Sequence, residues 1–256
     1  MIEFRGVSKR FGSLVVLDSL DLTFESGKTT VVIGESGTGK SVLLKHIVGI
    51  LKPDSGEVRF RGEQINHLDE EQLVPIRKRM GFLFQLGALF DSMTVAENVA
   101  FPISEHQNKT RAQIVEIVKE KLRMVGLDGL QERYPADVSG GQKKRVALAR
   151  AIALDPEVVL YDEPTTGLDP VRADVINELI IKMNSELGAT GIVVTHDMAS
   201  AYKVGHRIVM LQQGKIIADG PPDFFRTSKD PMVRRFVDGH ASAADLKALD
   251  DITNNA

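Results

Sequence analysis

Two kinds of hydrophobic pattern run along this chain. In the first, apolar and polar positions alternate: Leu20, Leu22 and Phe24 interleave with Asp21, Thr23 and Glu25. Period two marks a strand with one buried face. Strands are expected over residues 2–7 and 14–24, around a turn at Phe11-Gly12-Ser13. In the second, short runs are mainly apolar on both faces: 29–33, 80–84, 157–161 and 191–195. Such runs suit a parallel sheet covered on both sides. A short strand over Val58–Arg61 is expected at a sheet edge. Arg207–Leu211 and Lys215–Ala218 predict a hairpin over Gln213-Gly214.

Helical spacing fills the intervals. A helix from Lys40 carries the apolar run Val42–Val48, ends near Gly49 and cannot pass Pro53. Asp69 caps a helix running to about Lys78. From Thr94 to about Val138 the texture is helical: Thr110 and Gln113 form a capping box. Ile114, Val118, Leu122 and Val125 follow at helical spacing, and Gly126 supplies a stop. Residues 141–153 predict a further helix, ended by Asp155-Pro156. Asp169-Pro170 opens one that closes at Gly188, and Asp197 caps a short one. Two more short helical segments are expected near 222–228 and 230–238. Strands alternating with helices predict an α/β fold with helices on both faces of a mainly parallel sheet. The expected division is a core with an antiparallel β part over 1–93 and 157–238, an inserted helical part over 94–156, and a tail over 239–256.

Composition narrows the class. At 256 residues the chain suits one large domain or a core plus a subdomain. Net charge is −3, so no global basic excess points to nucleic acid. There is no cysteine, which excludes disulfides and thiolate metal sites. The N-terminus lacks the layout of a signal peptide, and no apolar run is long enough to span a bilayer. Work on a membrane is expected to pass through a partner.

The chemistry centres on Gly34-Glu35-Ser36-Gly37-Thr38-Gly39-Lys40-Ser41, which fits G-x-x-x-x-G-K-[ST] at every fixed position. An apolar strand precedes it and a helix follows, the context in which such a loop cradles phosphates. Its glycines let successive N–H groups turn inward, and the helix start adds unpaired donors. Lys40 is expected to reach the β- and γ-phosphates and Ser41 to ligate Mg²⁺. Val158–Tyr161 delivers a second motif, Asp162-Glu163. Asp162 would orient Mg²⁺, and Glu163 would polarise an attacking water as general base. Alone, such a pair reads as a solvated strand end. Ser139-Gly140-Gly141-Gln142 opens a helix and forms a second anion-binding N-terminus, though by itself it reads as an ordinary cap. His196 follows the strand Gly191–Thr195, where a lone histidine is usually a cap.

Taken in order, the P-loop, Gln85, Val138–Gln142, Asp162-Glu163, Gly167-Leu168-Asp169 and His196 resemble the ATP-binding cassette (ABC) ATPases over residues 1 to about 220. The resemblance implies a P-loop NTPase fold with a RecA-like core, an antiparallel β subdomain and an inserted helical subdomain. It makes Phe11 the aromatic that stacks on adenine, Gln85 the glutamine that touches Mg²⁺ and senses a membrane partner, and Ser139–Gln142 the signature. It makes Asp169 part of a loop crossing a dimer interface and His196 a switch contacting the γ-phosphate. Lys40, Glu163 and His196 are the expected catalytic residues. Val138 stands where leucine is commoner. Two copies placed head to tail would sandwich two ATP molecules between P-loop and signature.

Among ABC proteins, no heptad array points to the chromosome and repair ATPases, and one cassette rather than two argues against translation-type factors. The ATPase of a membrane transporter remains. The stretch Phe84–Pro102 and the segment Ser228–Gly239 are similar to the phospholipid-trafficking (Mla-type) branch. That resemblance implies permease subunits, a periplasmic lipid-binding subunit and a small cytoplasmic regulatory subunit, with this chain peripheral on the cytoplasmic side of the bacterial inner membrane. The alternative is the ATPase of a small-solute importer, for an amino acid for example. Leu86, Ala88, Leu89, Phe90 and Met93 either form a groove for a partner helix or pack inside the helical part. The tail from Gly239 either clasps a partner or is an unanchored end.

Overall fold

The computed structural model describes residues 1–239, so the expected tail lies outside the described residues except for Gly239. Two sheets carry the fold. The larger has six strands in the order β10-β9-β3-β8-β7-β6. They are β3 (Thr29–Ile33), β6 (Met80–Leu83), β7 (Val158–Asp162), β8 (Thr190–Val194), β9 (Arg207–Gln212) and β10 (Lys215–Gly220). All neighbours are parallel except β9 and β10, which pair antiparallel across the turn at Gln213-Gly214. Both turn residues have positive φ, as the hairpin signal required. The smaller sheet is antiparallel, in the order β2-β1-β4-β5, from β1 (Ile2–Phe11), β2 (Leu14–Phe24), β4 (Ser55–Phe60) and β5 (Glu63–Gln64).

The parallel strands alternate between two cores. Val31, Ile33, Val159, Tyr161 and Val193 face one side, packed by α3 (Val95–His106), α4 (Arg111–Met124), α5 (Gly140–Ala151) and α6 (Pro170–Leu187). α7 (Met198–Val204), α8 (Pro222–Thr227) and α9 (Pro231–Asp238) complete that side. Val32, Val158, Leu160, Ile192 and Val194 face the other. There they meet α1 (Lys40–Ile47), α2 (Glu70–Arg77) and the inner face of the antiparallel sheet through Phe4, Phe24 and Phe60. Burial on both faces is why these strands read as mainly apolar runs. The segment inserted between β6 and β7 holds α3, α4 and α5, with α3 packed on both of the others.

The expected caps are present. Asp69, Thr110 and Ser139 each close a capping box, and Asp169 and Asp197 accept backbone N–H bonds at the starts of α6 and α7. Two expectations are corrected. Val58–Arg61 is not an edge: β4 lies between β1 and the two-residue β5, because the chain reverses at Arg61-Gly62 and pairs again. The first strand runs to Phe11 rather than residue 7, since register shifts beyond Phe4 break the alternation without ending the pairing.

Candidate functional site

The P-loop joins β3 to α1 and is shaped by close approach. A Cβ at Gly34 would lie 2.3 Å from the Leu211 carbonyl oxygen, and one at Gly39 2.8 Å from both the Val16 oxygen and Cγ1. Gly34, Gly37 and Gly39 all have positive φ, while Gly37 faces open space. The loop opens on a pocket of about 330 Å³ lined by Phe11, Val16, Ser36, Gly37, Gly39, Lys40, Ser41, Val42, Gln85 and Glu163. Phe11 ends β1 with an exposed ring, the Lys9 ammonium 5.7 Å from its centroid. Thr38 Oγ1 donates to the Glu35 carbonyl at 2.9 Å. The Glu35 carboxylate turns out of the cradle to Arg235 on α9, at 3.1 Å.

Lys40 is buried, and its ammonium donates to the Gly34 and Glu35 carbonyls at 2.7 and 2.9 Å. Burial pushes it below the usual lysine value, while Glu163 and Asp162 pull it up. Asp162 ends β7 and accepts from Ser41 Oγ at 3.1 Å. Burial raises its carboxyl, with the Ser41 hydrogen bond opposing. A hydroxyl and one carboxylate at that distance suit Mg²⁺, which binds through few protein oxygens and keeps several waters. Glycine cradle, lysine and this oxygen pair together fit a magnesium nucleotide.

Glu163 follows Asp162 at φ +49°, a left-handed conformation that costs a non-glycine residue about 1–3 kcal/mol. Its N–H donates to the Val194 carbonyl at 2.9 Å, which holds the turn against β8. The carboxylate lies 2.9–3.0 Å from His196 Nδ1 and accepts from Thr166 Oγ1 at 3.2 Å. Behind it, Thr165 and Asn177 meet the Ser200 hydroxyl at 3.4 and 2.9 Å, and Ser200 donates to Asp197 at 2.6 Å. That buried network ties the loop after β7 to the loop after β8.

One chain thus brings Phe11, the P-loop, Gln85, Asp162, Glu163 and His196 to one sheet edge. Ser139–Gln142 and Asp169 line no part of the pocket. Ser139 and Gln142 close their own capping box at the exposed start of α5, and Asp169 caps α6. A Cβ at Gly141 would meet Arg172 Cδ at 3.6 Å, so these two helix starts are neighbours.

Sequence reasoning missed several polar contacts. Asn98 is fully buried; its amide takes the Phe90 N–H at 2.8 Å and donates to the Phe90 and Met93 carbonyls at 3.1 Å. Arg150 donates to the Gly87 and Ala88 carbonyls at 2.7 and 2.8 Å. Lys144 is buried against the Gln85 loop. Only the box Thr94…Glu97 had a readable signal, the S/T-x-x-E pattern at the start of α3. These contacts set the apolar stretch: Leu86 is 91% exposed, Ala88 and Phe90 face outward, and Leu89 packs on the core. Ala88 and Phe90 line a groove of about 470 Å³ with Phe82, Phe84, Phe101, Pro102 and Leu154.

The ABC transporter family model matches residues 17–166, more than half the chain. The chain belongs to the ABC transporter family. Members of this family are ATPases that bind ATP with Mg²⁺ and couple its hydrolysis to transport. The chain is 41% identical to the intermembrane phospholipid transport system ATP-binding protein MlaF of Escherichia coli K12, over 94% of this chain and 90% of that one. To MlaF of Haemophilus influenzae it is 42% identical, over 94% and 91%. It is also 42% identical to the probable ribonucleotide transport ATP-binding protein mkl of Mycobacterium tuberculosis H37Rv, of whose length it spans 66%. Among solved structures, the dimeric post-hydrolysis cassette MJ0796 bound to ADP and Pi aligns with a TM-score of 0.80 at 33% identity, covering 87% of this chain and 99% of that one. CbiO1 of Clostridium perfringens aligns with a TM-score of 0.82 at 28% identity, covering 92% and 94%. The cassette has an α/β P-loop fold, and among the described residues no helix is long and apolar enough to cross a membrane.

Proposed function

We propose that this cassette energises phospholipid movement across the cell envelope, from the cytoplasmic face of the bacterial inner membrane. The reading rests on its likeness to the two MlaF proteins over nine-tenths or more of both chains. The nucleotide-bearing part is assigned to 1–93 and 157–238 and the helical part to 94–156. The P-loop amides and Lys40 hold the triphosphate, with Phe11 against adenine. Ser41, Asp162 and Gln85 would hold Mg²⁺, which would supply charge neutralisation on the phosphates. Glu163 takes the proton of the attacking water, and His196 orients that carboxylate. Ser139–Gln142 and Asp169 act on the nucleotide of a second copy, which is why they lie off the pocket of their own chain.

The groove beside Phe84, Phe90 and Phe101 receives a helix of the permease. Its apolar floor is exposed at the end of the sheet that carries Gln85, so docking and nucleotide share one loop. A periplasmic lipid-binding subunit and a small cytoplasmic regulatory subunit complete the assembly. The likeness to MlaF does not favour the alternative, the ATPase of a small-solute importer such as one for an amino acid. Detergent extraction with this chain tagged, then mass spectrometry of co-purifying proteins and lipids, tests the reading. Permease, lipid-binding subunit and bound phospholipid are expected. A soluble solute-binding protein, or a permease without phospholipid, overturns it.

A further inference from the structure

Lys144 is a buried cation that the reading above leaves without a task. It sits in the second turn of α5, five residues past Ser139, and is 7% exposed. Its ammonium does not meet a carboxylate directly. It donates to two main-chain carbonyls: that of Gln85, after β6, and that of Glu163, after β7, at 3.3 Å. β6 and β7 are parallel neighbours, so one side chain spans the two loops that leave the active edge of the sheet side by side. Among the described residues, the Gln85 carbonyl takes no other hydrogen bond.

Burying an ammonium is unfavourable. Burial pushes Lys144 below the usual lysine value, and only the nearby charges of Glu163 and Asp162 pull it back. The helix does not need this cation for its packing, because Val146, Ala147, Leu148 and Ala149 already anchor α5 in the apolar core. What the ammonium uniquely supplies is a link between three segments: the helix that begins with the signature, the Gln85 loop, and the strained turn that presents Glu163.

We infer that Lys144 is a positioning residue for ATP hydrolysis, holding the Glu163 turn and the Gln85 loop in register with the start of α5. This rests on the reading of Glu163 as general base. When the signature at the start of α5 engages the nucleotide of a second copy and α5 shifts, Lys144 carries that displacement to both loops at once. Nucleotide affinity comes from the P-loop, which Lys144 does not touch, so its removal slows turnover and spares binding. Arg150, farther along the same helix, holds the Gly87 and Ala88 carbonyls with two guanidinium N–H groups. An arginine at 144 offers the same two-pronged donation.

The test uses the full chain with Mg²⁺-ATP, phosphate release for kcat, a fluorescent ATP analogue for affinity, and thermal melts. Lys144→Met is expected to lower kcat at least tenfold, with affinity within twofold of the parent. Lys144→Arg is expected to keep at least a third of the parent kcat. The proposal is overturned if Lys144→Met keeps more than half of kcat, if affinity falls in step with kcat, or if Lys144→Arg is as slow as Lys144→Met. Should Lys144→Met not fold, a tenfold loss in a Lys144→Arg protein of unchanged melting temperature overturns it equally. Glu163→Gln in the same assay separates the two layers: turnover retained there removes the general-base reading, whatever Lys144 does.

Discussion

Replacing Gly34 by alanine is the sharpest test of how the P-loop is built. The new methyl carbon would stand 2.3 Å from the Leu211 carbonyl oxygen and 2.8 Å from Thr38 Oγ1, where ordinary contact begins at 3.4 Å. Leu211 lies inside β9, paired with Ile216 of β10, so its carbonyl cannot retreat without disturbing the sheet. Overpacking of this kind costs about 1–3 kcal/mol. The positive φ adds about 1–3 kcal/mol for a residue with a side chain. Gly37 is the internal control: it has φ +82° in the same loop, but a Cβ there meets nothing within 4 Å. Gly37→Ala therefore carries only the conformational penalty, about 1–2 kcal/mol. At about 2–4 °C per kcal/mol for a chain of this size, Gly37→Ala lowers the nucleotide-free melting temperature by about 2–8 °C. Gly34→Ala lowers it at least twice as far. Titration with a fluorescent ATP analogue should show Gly34→Ala at least tenfold weaker, because the loop must yield by about 1 Å. Equal melting temperatures for the two variants would refute the steric argument.

Other consequences concern the carboxylates and their neighbours. His196→Ala should leave ATP affinity within about twofold and cut turnover at least tenfold, as expected when a charge-assisted bond of about 1.5–3 kcal/mol to Glu163 is lost; equal turnover in both proteins would remove the histidine from the mechanism. Burial raises the Asp162 carboxyl above its ordinary 3.8. The fold then favours the protonated form, so the charge weakens the nucleotide-free protein at neutral pH, and the penalty fades as pH falls through the folded-state value. Asp162→Asn should raise the melting temperature at pH 7.5, with the gap closing toward pH 4, while Mg²⁺-dependent turnover is lost; a lower melting temperature at neutral pH would contradict this. Tyr161 donates to Asn184 Oδ1 at 2.7 Å inside the core. Tyr161→Phe orphans that oxygen and should cost about 1–3 kcal/mol in urea denaturation, and no measurable change would mean another donor serves Asn184.

What was legible in the sequence was local. The P-loop, the caps at Asp69, Thr110, Asp169 and Asp197, and the Gln213-Gly214 hairpin each depend on residues within a few positions of one another. The parallel strands were legible because burial on both faces leaves a mainly apolar run. β5 was not, since two residues show no period. The full reach of β1 was hidden because shifted register breaks alternation while pairing continues. The polar links of the site were hidden for another reason. Lys144 and Gln85 are 59 positions apart, and Arg150 and Gly87 are 63 apart, so only the fold brings them together. In the sequence, nothing about Lys143-Lys144-Arg145 marks Lys144 as the buried one of the three. Family resemblance supplied roles for Gln85, Ser139 and His196 that spacing alone left open.

Half a nucleotide site per chain is the claim on which the rest turns. Glu163→Gln keeps the pocket and removes the base, so ATP bound between two copies should persist. Light scattering on a sizing column reads the outcome directly against the 28.1 kDa chain. The account predicts twice that mass with Mg²⁺-ATP and a return to the single chain when ATP is withdrawn. A peak of 28.1 kDa under both conditions would contradict it.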